Sequence, residues 1–314
     1  MCTSHRGAAQ CCPATTVRQQ KSKVPDIIRN IPLHLHHFAN ASTRFGGPLT
    51  MKVSANGASI HYAVEGHGPW VTLAHPLGAD LTIWDDLVPD LAAHFRVLRY
   101  DSRGHGRSDV PAGPYTIEQL AADATALLNS LEIPRTHFVG ISMGGAVAQQ
   151  VALDAPERIA SLTLIDTTAG YDEADAKVFR QRATQAREQG MKALADGTLE
   201  RWLGERFRKR HPETSERVRA LVAKAHPEGF AAACEALAAF DVRTRLSEID
   251  APTLVLVGEN DPSTPPAVAR RIASGIAGAR LEIVPDAAHL SIVEQKQFVT
   301  NALATFLLEA SSNV

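Results

Sequence analysis

Thr136 to Ile141 reads as a buried strand that passes through one serine, Ser142, into a helix of small apolar residues. Gly140 and Gly144 stand two residues to either side, giving Gly-x-Ser-x-Gly. A strand that turns directly into a helix brings the two backbones together and leaves no room for side chains at the flanking positions. The same turn exposes the serine hydroxyl above a helix N-terminus, whose partial positive charge favours a developing oxyanion. A chain built on this turn needs neighbouring strands beside the serine strand and helices packed against them.

The remainder supplies both. Met51 to Ala55 and Ser59 to Glu65 flank Asn56-Gly57, a strong hairpin signal. Trp70 to Ala74 is a continuous apolar strand ending in His75-Pro76-Leu77-Gly78, and a helix is expected after it through Trp84, Leu87, Leu91 and Ala92. Phe95 to Tyr100 is the next buried strand, and it leaves through a glycine-rich loop holding Asp101, Arg103 and His105. Thr116 to Leu131 has apolar residues at helical spacing, with Thr116 as N-cap. Further strands are expected at Ile159 to Ile165, Thr253 to Val257 and Arg280 to Val284. Buried strands alternating with helices mean a mostly parallel sheet, eight-stranded here, covered on both faces.

The character changes between Thr167 and Leu246, where 27 of 80 residues are Asp, Glu, Lys or Arg and no buried strand is legible. Amphipathic helices are expected there, inserted over the carboxyl ends of the strands. The expected organisation is therefore a core of residues 51–166 and 247–314, with a helical cap at 167–246. Residues 1–50 read as a disordered or non-native extension. They carry six Lys/Arg and a single acid, Asp26, and have neither an amphipathic arginine face nor a secretory apolar core. Translation starting at Met51 is the expectation. The His34, His36 and His37 cluster has no partnering carboxylate or cysteine in a folded frame and is not read as a metal site.

A net charge of −2 gives no reason to expect nucleic acid or an anionic membrane as partner. Cys2, Cys11 and Cys12 lie in the first dozen residues and Cys234 has no neighbour to pair with, so a disulfide framework is not expected and a cytoplasmic setting fits. Nothing in the sequence calls for a metal or organic cofactor, and the oligomeric state is not legible.

A serine nucleophile needs a base to take its proton and an acid to orient that base. On a strand-to-helix elbow these follow in the chain order Ser, Asp or Glu, His. Thr253 to Val257 empties into Gly258-Glu259-Asn260-Asp261-Pro262, which puts Asp261 on a tight turn at a strand end. Glu259 and, more seriously, Asp166 are its rivals. Thirteen histidines reduce to one candidate base, because only His289 follows Asp261. The oxyanion hole is expected from the Met143 amide and from the loop after Ala74. There Pro76 has no amide to give, so Leu77 is the choice. His75, Asp101, Arg103 and His105 are expected to brace their loops rather than move protons.

With these residues assembled, the chain from about Met51 to Leu308 resembles an α/β-hydrolase and, more narrowly, the bacterial 3-oxoadipate enol-lactonases. The resemblance is carried by Leu77-Gly78-x-Asp80-Leu81-x-x-Trp84, by Phe95 to Asp101 with Arg103-Gly104-His105-Gly106, and by Gly113-Pro114-Tyr115-Thr116-Ile117-Glu118-Gln119-Leu120. It continues in the serine turn, in Asp261-Pro262 with Thr264-Pro265-Pro266, and in Ala288-His289-Leu290-Ser291 with Glu294-Gln295. In the insertion, Arg201-Trp202 matches an Arg-Trp pair of that family's cap, and His226-Pro227-Glu228-Gly229-Phe230 a Pro-Glu-Gly-Tyr/Phe segment. His75-Pro76 departs from the family's small polar residues.

The resemblance implies ring opening of a small anionic lactone, with Arg201 on the substrate's carboxylate and Trp202 as an apolar wall. The same three residues would also serve a broad carboxylesterase or a carbon–carbon bond hydrolase. A non-hydrolytic small-molecule sensor could keep the pocket as well.

Overall fold

The computed structural model describes residues 49–312; the expectations for the preceding residues, the histidine cluster among them, lie outside that range. Strand β1 (Leu49–Ala55) begins ahead of the expected Met51 and pairs antiparallel with β2 (Ala58–Gly66). Asn56 and Gly57 join them with φ of 49° and 78°, the left-handed pair that a two-residue hairpin loop requires. The other strands are β3 (Trp70–Ala74), β4 (Arg96–Tyr100), β5 (Thr136–Ile141), β6 (Ile159–Ile165), β7 (Thr253–Gly258) and β8 (Arg280–Val284). They form one eight-stranded sheet in the order β1-β2-β4-β3-β5-β6-β7-β8. Only β1 and β2 run antiparallel to their neighbours.

Every residue of β5, β6 and β7 is buried, which requires helices on both faces of the sheet centre. Helix α1 (Val88–Ala92) packs against α11 (Lys296–Ser312), and α2 (Ile117–Ser130) against α3 (Met143–Asp154). The Thr116 hydroxyl caps α2, accepting the Gln119 amide at 3.1 Å. The helix expected through Trp84 to Ala92 is instead two pieces, a 3₁₀ turn at Leu81–Trp84 and α1. Pro89 lies in the first turn of α1 and has no N–H to give back to the preceding turn, so one continuous helix cannot form across it.

Between β6 and β7 come α4 (Glu173–Gln189), α5 (Met191–Trp202), α6 (Glu205–Arg210), α7 (Pro212–Ala223) and α8 (Pro227–Ala239), then a 3₁₀ segment at Arg243–Glu248. Alanine-rich faces let α4 and α8 approach closely, with Ala183 and Ala186 on one and Ala232 and Ala236 on the other buried. Cys234 is buried on α8 as a free thiol. The core closes with α9 (Pro266–Gly275) after β7 and the short α10 (Ser291–Glu294) before α11. Among the described residues no helix is long and apolar enough to cross a membrane.

The loops after β3 and β4 brace each other. His75 is fully buried, with Nδ1 donating to the Pro76 carbonyl at 2.8 Å and Nε2 accepting the Ser102 amide at 2.9 Å. Asp101 accepts the Leu81 amide at 2.7 Å and the Arg107 amide at 2.8 Å, and Arg103 forms a buried pair with Asp123 on α2. These side chains are consumed by loop structure, as their setting in the sequence suggests.

Candidate active site

Ser142 occupies the turn from β5 to α3 with φ 53° and ψ −115°, a backbone that a non-glycine residue adopts only when its surroundings enforce it. The enforcement comes from the flanking glycines. A Cβ on Gly140 would lie 2.1 Å from the Gly144 carbonyl oxygen, and one on Gly144 the same distance from the Ala74 carbonyl oxygen. The Thr167 hydroxyl, at the end of β6, donates to the Ser142 carbonyl at 2.7 Å.

The Ser142 hydroxyl lies 2.9 Å from Nε2 of His289, and Nδ1 of His289 lies 2.8 Å from a carboxylate oxygen of Asp261. Asp261 is fixed in turn by the Thr264 hydroxyl at 2.7 Å and by the Ser263 and Thr264 amides at 2.7 and 3.0 Å. With Asp261 ionised, Nδ1 carries the proton shared with it, which leaves Nε2 free to accept from the serine. Burial works against charge on both members. Yet the attraction between them prevails, holding Asp261 below the usual carboxylate range and His289 above an ordinary histidine. The line Ser142–His289–Asp261 can therefore draw the serine proton onto the imidazole and stabilise the cation that results.

The rival carboxylates lie elsewhere. Asp166 points its oxygens at the Gly258 amide (2.8 Å) and at the amide and hydroxyl of Ser291 (3.0 and 2.7 Å), tying β6 to β7 and to α10. Its full burial and the nearby Asp261 charge push its carboxyl up to about 7. Glu259 accepts the Asp286 amide at 3.2 Å.

Leu77 lines the cavity beside Ser142, and Met143 opens α3. Neither amide N–H is taken by another group among the described residues, so both are available to an oxyanion.

A cavity of about 240 Å³ opens above Ser142 and His289. Two helices wall it with one stripe each: Asp175, Val178, Phe179 and Arg182 of α4, and Thr198, Arg201 and Trp202 of α5. Both stripes follow the three- and four-residue spacing of a single helix face. Arg201 and Trp202 thus share the cavity with Ser142. Arg182 was not singled out from the sequence, where it is one of many arginines; the legible signal was its place seven residues after Asp175 on the face that carries Phe179. Trp202 is tied to the histidine loop through its carbonyl, which accepts the Leu290 amide at 2.9 Å.

Residues 69–296 match the model of the alpha/beta hydrolase fold family. The chain belongs to the α/β-hydrolase family and is a hydrolase. Among curated relatives, 3-oxoadipate enol-lactonase 2 of Acinetobacter baylyi is 37% identical over 253 residues, covering 80% of this chain and 94% of that protein. Among solved structures, the enol-lactonase from Burkholderia xenovorans LB400 superposes with a TM-score of 0.80 at 39% identity, over 82% of this chain and 100% of that one. A thermophilic esterase from Thermogutta terrifontis, solved with malate bound, gives a TM-score of 0.80 at 32% identity, over 83% of this chain and 98% of that one.

Proposed function

We propose that this hydrolase opens a small anionic lactone by serine catalysis, turning 3-oxoadipate enol-lactone into 3-oxoadipate in the breakdown of protocatechuate and catechol. The observation that carries the proposal is the hydrogen-bonded line Ser142–His289–Asp261 at the floor of a cavity that also holds Arg201. The likeness to two enol-lactonases supports the choice of lactone.

In this reading His289 takes the Ser142 proton as the hydroxyl attacks the lactone carbonyl, and the Leu77 and Met143 amides hold the oxyanion. The ring opens to an acyl-enzyme, and His289 returns the proton to the departing enol oxygen. Tautomerisation of that enol to a ketone makes the step effectively irreversible. A water activated by His289 then releases the acid. Arg201 anchors the substrate's carboxylate, and Trp202 forms an apolar wall beside it. Residues 167–246 act as the cap that brings these two residues over the serine.

The test is turnover of freshly prepared 3-oxoadipate enol-lactone against a panel of neutral aryl esters, with Ser142→Ala as control. Preference for the lactone by a hundredfold or more in kcat/KM is the expected result. The likeness to an esterase favours a second reading, a broad carboxylesterase with the same machinery. Equal efficiency on the lactone and the neutral esters would establish that reading instead, and no multiple turnover on either would overturn both.

A further inference from the structure

Arginines of the helical insertion commonly meet carboxylates: Arg180 pairs with Glu173, Arg187 with Glu228 and Glu235, Arg217 with Asp86, and Arg219 with Glu216. The two that line the cavity do not, and nor do Arg206, Arg208 and Arg210 of α6, which lie outside it. Among the described residues neither Arg182 nor Arg201 has a carboxylate at ion-pair distance. Arg201 gives one N–H to the Thr198 hydroxyl at 3.0 Å, and Arg182 lies over the Phe179 ring, 5.3 Å from its centre. Asp175, on the same face of α4, is exposed and pairs with neither.

Both guanidiniums are partly buried, so each has lost water, and the acidic side chains that act on them, Asp175 on Arg182 and Glu200 on Arg201, do so only from beyond ion-pair distance. The Arg201 guanidinium is drawn down to about 10, chiefly by burial and then by the Arg182 charge, and remains protonated at neutral pH. Two like charges held in one cavity are costly to the empty protein. An anion that enters relieves both the repulsion and the lost hydration.

We propose that Arg182 is a specificity-determining residue that acts with Arg201, the pair forming a two-guanidinium receptor for the carboxylate of a small substrate whose ester carbonyl sits at Ser142. A carboxylate offers about four lone-pair sites on its two oxygens, enough to accept a pair of N–H groups from each arginine. Unreactive C5 and C6 dicarboxylates fit the same receptor, with their second carboxylate directed at the Leu77 and Met143 amides. This deepens the lactonase reading, on which the identity of the anionic substrate rests. The receptor itself rests on the two unpaired arginines.

The experiment follows hydrolysis of p-nitrophenyl acetate with adipate, and with neutral adipamide, as inhibitors. Adipate should compete with the ester in the wild type and adipamide should not. Arg182→Gln should raise the adipate inhibition constant at least tenfold. Arg182→Lys, which keeps the charge, should fall between the two, and it covers the case in which the glutamine variant does not fold. With the enol-lactone, Arg182→Gln should lose at least ten times more kcat/KM than it loses on the neutral ester.

Absence of competition by adipate in the wild type, or equal inhibition of wild type and Arg182→Gln, overturns the proposal. A lysine variant no better than the glutamine one does so too, since packing on Phe179 and not charge would then be at work. Adipate inhibition through Arg182 without lactone turnover leaves the receptor standing and removes the lactonase reading. Lactone turnover unaffected by Arg182→Gln does the reverse.

Discussion

Glu294 accepts the backbone amide of Gly204 at 2.8 Å, joining the end of the Arg201–Trp202 segment to the helix that follows His289. Its other carboxylate oxygen accepts the amide of Ala288, the residue before His289. Together with the Leu290 amide on the Trp202 carbonyl, this sews residues 202–204 of the insertion to the histidine loop. Glu294→Gln keeps the size but loses the charge, and one of its two arms becomes a donor facing an amide N–H. At about 2 kcal/mol for a disrupted charge-assisted bond, the thermal midpoint should fall by about 5 °C. Because the loop that loosens carries His289, kcat on a neutral ester should fall roughly tenfold, an effect steady-state kinetics and a melting curve would report together. An unchanged kcat would mean that the tie does not position His289.

How far such features were legible in the sequence depended on whether they were local. The bounds expected for Trp70–Ala74 and Thr136–Ile141 match the strands found, all of their residues but Trp70 being buried. The interrupted helix around Pro89 was locally encoded too, but spacing alone obscured it. His289 was reachable through chain order, since no other histidine follows Asp261. The sequence favours Asp261 over Asp166, but both follow a strand, and it is the hydrogen bonds that separate the one that meets His289 from the one that meets Ser291. Arg182 is marked in the sequence only by its helical spacing from Asp175 and Phe179, and its role is hidden for a similar reason. A missing counter-ion is a property of neighbours in space, and the insertion offers 27 charged residues among which any arginine looks solvated.

The raised affinity of His289 for its proton fixes the direction of the activity profile. Burial lowers it, but the Asp261 charge and hydrogen bond raise it further, so the neutral base that Ser142 needs appears only above the ordinary histidine value of 6.5. The acid limb of kcat/KM should therefore have its midpoint above pH 6.5. In Asp261→Asn burial is opposed only by the Asp166 charge, and the limb should move to lower pH. Maximal kcat should drop by about 10⁴-fold as the imidazole loses its orienting partner. A pH series on both proteins checks the two shifts, and an acid limb that stays in place would show that it belongs to another group.

Gly140 and Gly57 separate close packing from backbone strain. Alanine at 140 would put its Cβ 2.1 Å from the Gly144 carbonyl oxygen, a backbone atom that cannot swing aside, so the serine turn itself must open. The expected cost is about 3 kcal/mol or more, together with a loss of at least a hundredfold in kcat. Gly57 has a φ of 78° but nothing within 4 Å of the added Cβ. Its alanine variant should lose about 1 kcal/mol from the left-handed backbone alone and keep its kcat. Urea unfolding and ester kinetics on the two variants make the comparison, which fails if the two lose stability equally.

His105 predicts how the fold responds to acid. It is buried in the loop after β4, its Nδ1 facing the Arg103 carbonyl at 3.1 Å and its Nε2 without a partner among the described residues. Burial, with the neighbouring His75 adding to it, brings its value down to about 3 from the 6.5 of an exposed histidine. Between those values the unfolded chain binds a proton that the folded one refuses, so stability must rise with pH there. The contribution is complete above 6.5 and fades by about 1.4 kcal/mol per pH unit as the solution is acidified toward 3. His105→Gln removes this contribution. Its unfolding free energy in urea, plotted against pH, should run more shallowly than the wild-type curve below 6.5 and parallel to it above. Parallel curves throughout would mean that His105 takes up its proton in the folded protein as readily as in the unfolded chain.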